Sequence, residues 1–490
     1  MTNRRERIWI GAALVAALAW VPSQAMAQPS GTPGTTITVN SLGDGFIVTL
    51  PGQPLPCQLR DAIQAANTNK AVGGCPAGVA PHVVSASPLR VDGIDRIVFS
   101  VGTGTPRIQL RTGLPAITEA VTIDGATGGA TRIEVAGGQI FSLGAVHGFL
   151  VTGTYSTFKS LVINGFRGNG IVLSQLDGSG IVIVTPSKPE RPEDVSGSLP
   201  GDPCGPSAFP SDPSQCPPPG GFPGDDTTTI GSTGGGGHTV IDCLIGTDAT
   251  GSKAVPNGLG TADSAGVVAL TSGNVIGGTV PASRNVIAGN AGHGILLDGR
   301  NNKVFGNSIG VGLGGQSLGN QLDGVFVAGG QFAGATCEVR SNTIIANGGD
   351  GVDAGYNQCS ILSNSISLNG GLGIERAEPG VTANDPARRR PPNTPELVAS
   401  RFTFPSGTVI AGQLTQVASQ PVTVEIFYSP TCDPTGHGEG KSFAASVLVN
   451  PGTRVAFLAT DRVIRIGGGF YTATATTVDG TSEFSACLPL

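Results

Sequence analysis

The chain has 490 residues, of which 13% are charged, and a formal net charge of −6 at pH 7. Without the first 27 residues, which carry three arginines and one glutamate, the net charge is −8. An acidic chain argues against a nucleic-acid partner, and no stretch after the N-terminus is apolar for long enough to predict a transmembrane helix.

The N-terminus has the three parts of a secretory signal peptide. Basic residues open the stretch MTNRRERIWIGAALVAALAW, an apolar run follows, and the small residues Ala25 and Ala27 flank Met26 at a cleavage site. The pattern predicts a signal peptide at residues 1–27 and a mature chain that begins at Gln28. We therefore expect the mature protein to be secreted, periplasmic or on the cell surface.

Residues 57–67 read CQLRDAIQAAN and predict a short amphipathic helix. Leu59, Ile63 and Ala66 share one helical face at i, i+4 and i+7 spacing. Most of the remaining chain is rich in Gly, Asn, Thr and β-branched residues, which form helices poorly.

A repeat of Gly followed by alternating apolar residues runs through the centre of the chain. It recurs as NGIVL, AGVVA, HGILL, DGVFV, DGVDA and LGIER, and the last five of these glycines are 28, 30, 27 and 22 residues apart. Asn flanks a second apolar pair between them, as in KVFGNSIG. Short strands punctuated by Gly and Asn, which tolerate positive φ, predict coils of a parallel β-solenoid. The isolated helix is then expected to cover the first coil, whose open end would expose apolar side chains and strand edges.

Nine cysteines in an exported chain predict disulfides with one thiol left over. Proximity favours the pairs Cys57–Cys75, Cys204–Cys216, Cys337–Cys359 and Cys432–Cys487. Cys337 and Cys359 are 22 residues apart, the length of one short coil, and should lie one above the other. Cys243, in the apolar run HTVIDCLIG, is expected to be a buried and unreactive thiol.

Composition divides the rest of the chain into segments. Residues 28–100 should hold the lid and the first coils, and residues 101–386 the solenoid, with a Pro- and Gly-rich excursion at 185–237. That excursion is expected to be a surface loop; a clamp for a substrate or partner is the alternative. Residues 387–395 suggest a linker, with anion binding at Arg388–Arg390 as a second possibility. Alternating segments from 396 to 490 predict a small antiparallel β-sandwich.

The stretch CQLRDA resembles the CSLREA-type N-terminal motif of secreted bacterial right-handed parallel β-helix proteins, with Gln58 for Ser and Asp61 for Glu. The similarity continues through DRIVF, LPAITEAVTIDG, LIGTDATGSKAVPN and NVIGG, and into CDPTGHGEG and DGTSEFSAC near the C-terminus. It implies an all-β fold: a right-handed parallel β-helix of the pectate lyase-like superfamily, an N-terminal helical lid and a C-terminal β-sandwich. The family implies little about activity. Similar proteins tend to carry an aspartate where this chain has Glu375.

Alignment of the coils on the repeated glycine brings together two sets of polar residues. His293, Asp323 and Asp350 precede the glycine in three successive coils and are candidate catalytic residues. Asp353 and Glu375 follow it by two residues and are candidate ligand or metal residues. Such an acidic ridge suits weak calcium binding or a carboxyl group with a raised pKa. The alternative is structural, because Asp before Gly is a common corner residue that accepts local backbone hydrogen bonds.

A complete catalytic motif is missing from the sequence. Gly292, His293 and Gly294 resemble the Gly-His-Gly motif of polygalacturonases, but the Asn-Thr-Asp, Asp-Asp and Arg-Ile-Lys motifs of those enzymes are absent. Hydrolysis with inversion needs two carboxyl groups around the scissile bond. The sequence favours a binding, adhesin-like or structural role, with extracellular glycans or cell-surface components as partners and no required cofactor. The alternative is a polysaccharide lyase or glycoside hydrolase acting along the solenoid face.

Overall fold

The structure, a computed structural model, describes residues 34–490 except 46–51, 87–88, 143, 176–235, 260–263, 329–334, 378, 386–390, 404–405, 416–419, 453–455 and 466. The predicted signal peptide, the Cys204–Cys216 pair, Arg388–Arg390 and most of the predicted excursion at 185–237 lie outside the described residues.

Within the described residues, the N-terminal and central elements are one α-helix, one 3-10 helix and 26 short strands. The helix α1 is Leu59–Thr68 and the 3-10 helix is Pro281–Ser283. The strands are β1 (Thr36–Val39), β2 (His82–Ala86), β3 (Leu89–Asp92), β4 (Asp95–Phe99), β5 (Arg107–Gln109), β6 (Val121–Asp124), β7 (Ile133–Ala136), β8 (Phe149–Val151), β9 (Thr157–Lys159), β10 (Leu161–Asn164), β11 (Ile171–Leu173), β12 (Thr239–Ile241), β13 (Leu244–Ile245), β14 (Ala265–Ala269), β15 (Val275–Gly277), β16 (Val286–Ile287), β17 (His293–Leu297), β18 (Asn302–Phe305), β19 (Ser308–Ile309), β20 (Val325–Val327), β21 (Thr336–Arg340), β22 (Thr343–Ile345), β23 (Val352–Asp353), β24 (Gln358–Leu362), β25 (Ser365–Ser367) and β26 (Ile374–Glu375).

These strands form the predicted parallel β-helix. The first sheet has the order β1-β4-β6-β9-β12-β15-β18-β21-β24, the second β25-β22-β19-β16-β13-β10-β7-β5, and the third β26-β23-β20-β17-β14-β11-β8. The pairs within these three sheets are parallel, and from β6 onward each coil contributes one strand to each sheet. Only β2 and β3, which form a small antiparallel ribbon, lie apart from this pattern among β1–β26.

The core of the solenoid consists of stacked apolar side chains. In the first sheet one inward column is continuous through eight successive strands, and every member is at most 3% exposed: Ile97, Ile123, Phe158, Val240, Ile276, Val304, Val339 and Ile361. Each such buried side chain contributes roughly 1.5–3 kcal/mol to folding. The period-two alternation of the sequence therefore sets the register of the stack.

Asparagine ladders hold two corners of the solenoid. Between the first and second sheets, the Nδ2 of Asn285, Asn307 and Asn342 each donates to the Oδ1 of the next member, ending at Asn364, at 2.9, 3.1 and 3.0 Å. Between the second and third sheets the same bond runs through Asn257, Asn290, Asn320, Asn347 and Asn369, at 2.8–3.1 Å. These buried amides bond from coil to coil at the positions where the sequence repeats Asn.

The helix α1 lies on the first strands of the solenoid. Leu59 and Ile63 are each 1% exposed, Ala66 is buried beside them, and the helix packs against β1 and β4. A disulfide joins Cys57, just before the helix, to Cys75. The predicted apolar face is confirmed, and these side chains belong to the same apolar core as the coils.

The C-terminal part consists of two antiparallel sheets. Strands β27 (Glu396–Thr403), β28 (Gly407–Gln413) and β31 (Ala456–Asp461) form one sheet in that order. The other has the order β30-β29-β32-β33, with β34 also paired to β32; its strands are β29 (Val422–Ser429), β30 (Ser442–Val449), β32 (Phe470–Thr477), β33 (Gly480–Thr481) and β34 (Leu488–Pro489). This part has an apolar core of its own, and a disulfide joins Cys432 to Cys487.

This β-sandwich covers the last coil of the solenoid. Thr481 accepts a hydrogen bond from the backbone N–H of Ile361 at 2.8 Å, and the carbonyl of Gly440 accepts one from Ile366 at 2.9 Å. The Glu439 carboxylate accepts the Nδ2 of Asn369, the last member of its ladder, at 2.8 Å. The sandwich thus supplies the acceptors that a further coil would have supplied.

Candidate functional site

His293, Asp323 and Asp350 form one column at the start of the third sheet. The backbone N–H of Asp323 lies 3.3 Å from the Nδ1 of His293, and the Asp323 Oδ1 accepts the backbone N–H of Asp350 at 2.6 Å. The Asp350 Oδ1 in turn accepts the backbone N–H of Leu372 at 2.6 Å. The predicted stacking is therefore present, and each side chain accepts a hydrogen bond from the following coil.

This column extends beyond the three predicted residues. Asn169 donates its backbone N–H to the Nδ1 of His147 at 3.0 Å, and the Asn169 Oδ1 accepts the N–H of Ala265 at 2.7 Å. Both polar residues also precede a glycine of the repeat. In every coil of this column the polar side chain accepts a backbone N–H, which His, Asn and Asp can all do. This shared hydrogen bond favours a structural role at the corner over a catalytic role.

The His293 ring is enclosed. It is 5% exposed and stacks on Phe326, with ring centroids 4.7 Å apart and an interplanar angle of 12°. Its Nδ1 also lies 3.1 Å from the Asp323 Oδ2. A protonated Nδ1 donates to that carboxylate, whereas an unprotonated Nδ1 accepts the backbone N–H of Asp323. A catalytic role for the three residues of the column stays a prediction.

Asp353 and Glu375 occupy equivalent positions in β23 and β26, as the coil register predicted. Glu375 is only 8% exposed, and its carboxylate accepts the backbone N–H groups of Arg376 and Gly380 at 3.1 and 2.8 Å. Burial raises the pKa of Glu375 to about 8, with repulsion from Asp350, Glu483 and Asp353 adding to the effect. Glu375 is thus buried and Asp353 half-buried, so the pair does not form an open acidic ridge.

The described residues contain no group of three or more His, Cys, Asp or Glu side chains that could hold a metal ion. A neutral Glu375 is also a poor calcium ligand, since calcium binding relies on carboxylate charge. Calcium binding by Asp353 and Glu375 stays a prediction.

Arg376, which the sequence analysis did not single out as a functional residue, is fully buried next to this pair. Its Nη2 donates to the carbonyl of Asn357 at 2.7 Å, whereas its Nε and Nη1 have no hydrogen-bond partner. Burial lowers the pKa of Arg376 to about 10. A small cavity beside it is also lined by Glu483, whose Oε1 is buried without a partner. The site has space on the scale of a single water molecule, which would satisfy these polar atoms.

Cys243 is the predicted free thiol and lies just before β13, at the corner that Asn occupies in later coils. It is fully buried, and burial raises the pKa of its thiol to about 12. Its backbone N–H donates to the Oδ1 of Asn285 at 2.9 Å. The predicted burial is confirmed, and low reactivity stays a prediction that the raised pKa favours, since the thiolate is the reactive form.

The three predicted disulfides within the described residues are present. Besides the two described above, Cys337 and Cys359 are register partners in β21 and β24, with Cα atoms 4.5 Å apart. This pair confirms the coil alignment on which the equivalence of Asp353 and Glu375 rests.

A groove on the outside of the solenoid was not predicted from the sequence. It lies at the corner between the first and second sheets, has a volume of about 200 Å³, and is lined by residues 278–281, Arg284, Phe305, Gly306, Arg340 and Ser341. Between the end of β15 and the ladder residue Asn285, the corner has seven residues, 278–284. The equivalent corners after β18 and β21 have one residue each before the ladder asparagine, Gly306 and Ser341. The longer corner forms a ledge beside two short corners, and the groove lies against it.

Local backbone geometry explains the short corners. In four coils, the residue before the ladder asparagine, or before the residue in its place, adopts φ between 53 and 57°. These residues are Ser160, Asp242, Ser341 and Ser363. Gly306 has φ 65°, and a Cβ there would lie 2.3 Å from the carbonyl oxygen of Gly278. Glycine at 306 therefore allows the ledge to approach the neighbouring coil.

The groove has a basic and partly apolar lining. Arg284 donates its Nε to the carbonyl of Gly306 at 3.1 Å, and the Nε of Arg340 lies 3.1 Å from the Glu338 carboxylate. Phe305 is half-buried, and Val280 is 55% exposed. Among the residues that the structure describes, no Asp, Glu, His or Cys lines the groove.

A second pocket, of about 320 Å³, lies between the last coil and the β-sandwich. Its lining includes Ser367, Asp433, Glu439 and Lys441. Burial raises the pKa of Glu439, which is already bound to Asn369 and to the backbone of Leu368. That carboxyl group is part of the contact between the two domains.

The chain matches no family model and no curated protein. Within the described part of the chain, no helix combines the length and the hydrophobicity of a membrane span.

Proposed function

We propose that this protein is an exported β-helix protein of the CSLREA-type family that binds an extracellular ligand in the groove beside Phe305, in an adhesin-like role. The composition of the groove carries the proposal: two arginines, an aromatic ring and hydroxyl groups line it, without a carboxyl group or histidine. Ligand sites commonly combine an apolar surface with a few oriented polar groups.

The arrangement of the acidic residues supports binding rather than hydrolysis. Glycoside hydrolysis commonly uses two carboxyl groups that flank the scissile bond. Asp323 and Asp350 are instead bonded to the backbone of the neighbouring coil, and Glu375 is buried beneath the segment that leads to the sandwich. None of these carboxyl groups lines the groove.

Export is supported by the cysteines together with the N-terminal pattern. Disulfides persist in oxidising compartments, and three are present here. The pattern at residues 1–27 and the CQLRDA stretch agree with the same location.

The test is a screen of the mature chain, residues 28–490, against immobilised acidic and neutral glycans. Two quantities are measured for each glycan: retained protein, and reducing or unsaturated ends released into solution. We expect retention on at least one glycan without release of ends. Sustained release would establish the lyase or hydrolase alternative and overturn the proposal.

A steric variant locates the binding site. Thr279→Trp places a large ring on the exposed ledge and should abolish retention, because the groove is then filled. Lys253→Trp places the same ring on an exposed loop elsewhere and should retain wild-type binding. Equal retention of wild type and both variants would show that the ligand binds outside the groove.

A further inference from the structure

The loop between β31 and β32, residues 462–469, is fixed at its base. The carboxylate of Asp461, which is fully buried, accepts the backbone N–H of Val463 at 2.9 Å. The same carboxylate accepts the Nε of Arg465 at 2.9 Å. The guanidinium group of Arg465 also lies over the ring of Tyr428, 4.4 Å from its centroid. These contacts hold the first turn of the loop in one arrangement.

Two aliphatic side chains lie exposed on this fixed turn. Val463 is 52% exposed, and the next residue, Ile464, is 50% exposed. Across the sheet, Phe402 of β27 lies in the same row as Asp461, with Thr408 between them, and it is also 50% exposed. That row spans two strand spacings, about 10 Å. The exposed apolar groups are therefore gathered at one end of the sheet, unlike the single apolar side chains that any protein surface carries.

The outer face of the same sheet continues this apolar surface. In β31, exposed residues alternate with buried ones, and Leu458 is among those that point away from the core. Its side chain is 69% exposed. Its register partner in β28 is Ala411, whose partner in β27 is Ala399. One whole row of the outer face is therefore apolar.

Positive charge lies between and beside these apolar groups. Arg462, the first residue of the loop, is exposed, and Arg401 is exposed in the row of the outer face that separates Leu458 from the loop. Among the described residues of β27, β28 and β31, two carry a carboxyl group. Asp461 points into the core, and Glu396 lies at the opposite end of β27. This end of the sheet is thus basic on a chain of net charge −6, and local positive charge attracts an anionic partner.

From this arrangement we infer that the loop at residues 462–464 and the adjoining outer face of β31 dock on an anionic phospholipid surface, which goes beyond the proposed function. Aliphatic side chains enter the boundary between headgroups and acyl chains, and guanidinium groups bond to lipid phosphates. The few exposed apolar side chains offer much less than the about 800 Å² that each partner contributes to a standard protein interface. That small area favours a lipid surface over a second copy of this chain. The groove lies on the solenoid, so the two contacts use separate parts of the protein.

The experiment measures flotation of the mature chain, residues 28–490, with phospholipid vesicles at low and at moderate salt. One set of vesicles contains phosphatidylcholine alone, and the other contains equal amounts of phosphatidylcholine and phosphatidylglycerol. We expect binding to the mixed vesicles, binding about tenfold weaker or less to the neutral ones, and a loss of affinity as salt rises. Equal affinity for both sets of vesicles, or no binding to either, would overturn the proposal.

Apolar variants locate the inserted side chains. Val463→Ser with Ile464→Ser should weaken binding to the mixed vesicles about tenfold or more, because the buried apolar area is lost. Val83→Ser with Val84→Ser removes two adjacent exposed valines from the ribbon of β2 and β3, and should leave affinity within about twofold. Melting curves of every variant establish that it is folded. Equal loss of affinity in both pairs would contradict docking through the loop.

Charge variants test the guanidinium groups in the same assay. Arg401→Gln with Arg462→Gln should weaken binding to the mixed vesicles about tenfold or more, since each basic residue near the lipid surface contributes to affinity. Arg96→Gln with Arg167→Gln removes the same charge from exposed positions on the solenoid and should leave affinity within about twofold. If the two pairs lose affinity equally, the attraction depends on net charge alone and the assignment to this surface is wrong.

Fluorescence gives a direct readout of insertion, because both tryptophans, Trp9 and Trp20, precede the mature chain. Ile464→Trp introduces a single tryptophan, whose emission should move to shorter wavelength on mixed vesicles and be quenched by brominated lipid. Val84→Trp is the matched control and should keep its emission. A vesicle-bound Ile464→Trp protein with unchanged emission would place the membrane contact elsewhere and overturn the proposal.

Sedimentation of the mature chain without lipid tests the other occupant of this surface. We expect the sedimentation coefficient to be the same for wild type and for Val463→Ser with Ile464→Ser. A wild-type dimer that dissociates in this double variant would show that a second copy of the chain covers the loop, and the lipid assignment would be wrong.

Discussion

Burial raises the pKa of Glu375 to about 8, even though two backbone N–H groups donate to its carboxylate. Those bonds favour the charged form, but removal of the carboxylate from water outweighs them. Asp350, Asp353 and Glu483 add repulsion, while the neighbouring Arg376 is itself deprived of solvent. The balance shows that desolvation is the dominant effect at this corner.

This pKa predicts a stability that declines as pH rises. Between about pH 4.5 and 8 the unfolded chain loses a proton that folded Glu375 retains, so ionisation favours unfolding, and the effect is complete above the folded pKa. Glu375→Gln cannot ionise and should gain stability over wild type progressively up to pH 8, by roughly 4–5 kcal/mol. Thermal or urea melts from pH 5 to 9 measure this difference.

The matched control is Glu396→Gln, which removes a carboxyl group from an exposed position in β27. The difference in stability between this control and the wild type should not increase from pH 5 to 9 as it does for Glu375→Gln. Glu439, whose pKa burial also raises, remains in every variant and cancels in the comparison. A Glu375→Gln difference that is constant from pH 5 to 9 would contradict the raised pKa.

Among the secondary-structure elements, α1 has the most specific predicted role. Its buried face joins the apolar core of the first coils, and Arg60 on its side forms an ion pair with Asp44 at 2.5 Å. The helix replaces a coil that would otherwise continue the stack. It therefore covers apolar side chains without offering a strand edge to another molecule.

Leu59→Asp with Ile63→Asp should open this end of the solenoid. Each substitution removes a buried aliphatic side chain worth roughly 1.5–3 kcal/mol and places a charge in the core. We expect a lower melting temperature and concentration-dependent aggregation, measured by calorimetry and light scattering. Gln64→Asp, on the exposed face of the same helix, should behave as wild type. A monomeric double variant with unchanged melting would show that α1 is not a lid.

The two ends of the solenoid are covered by different elements, α1 at the first coils and the β-sandwich at the last coil. At the C-terminal end the sandwich contributes Glu439, Glu425, Gly440 and Thr481 as acceptors for groups of the last coil. Glu425 bonds to both the backbone N–H and the hydroxyl of Ser363, at 2.8 and 2.9 Å. Buried donors without partners cost about 1–3 kcal/mol each, which makes this contact important for the stability of the whole chain.

Glu439→Ala should therefore lower the stability of the assembled solenoid and sandwich. The change leaves the N–H groups of Leu368 and Asn369 and the Asn369 amide without their acceptor. We expect a loss of about 2–4 kcal/mol, and a smaller loss for Glu439→Gln, whose amide oxygen keeps one acceptor. Urea unfolding measures the stability of both variants, with Glu396→Ala as the exposed control. Equal stability of Glu439→Ala and that control would rule out the capping role.

Much of the fold could be predicted because the repeat is local in sequence. The alignment of Cys337 with Cys359 specified the coil register, and the same register placed Asp353 opposite Glu375. The corner asparagines and the apolar face of α1 were likewise visible in the sequence. Such features depend on residues one coil apart, and the stacking repeats that relation throughout the solenoid.

Side-chain environments were less predictable, because they depend on what packs from elsewhere in the chain. The sequence alone determined that this protein builds stacked coils, capped by a helix and linked by disulfides. Tertiary structure decided that His293, Asp323 and Asp350 bond to the next coil, and that Glu375 is buried near Glu483 of the sandwich. It also assembled the groove from one long corner, residues 278–284, and two short corners, at Gly306 and Ser341. No repeat pattern marks such a site, since a groove arises where one corner departs from its neighbours and only the folded stack brings those corners together.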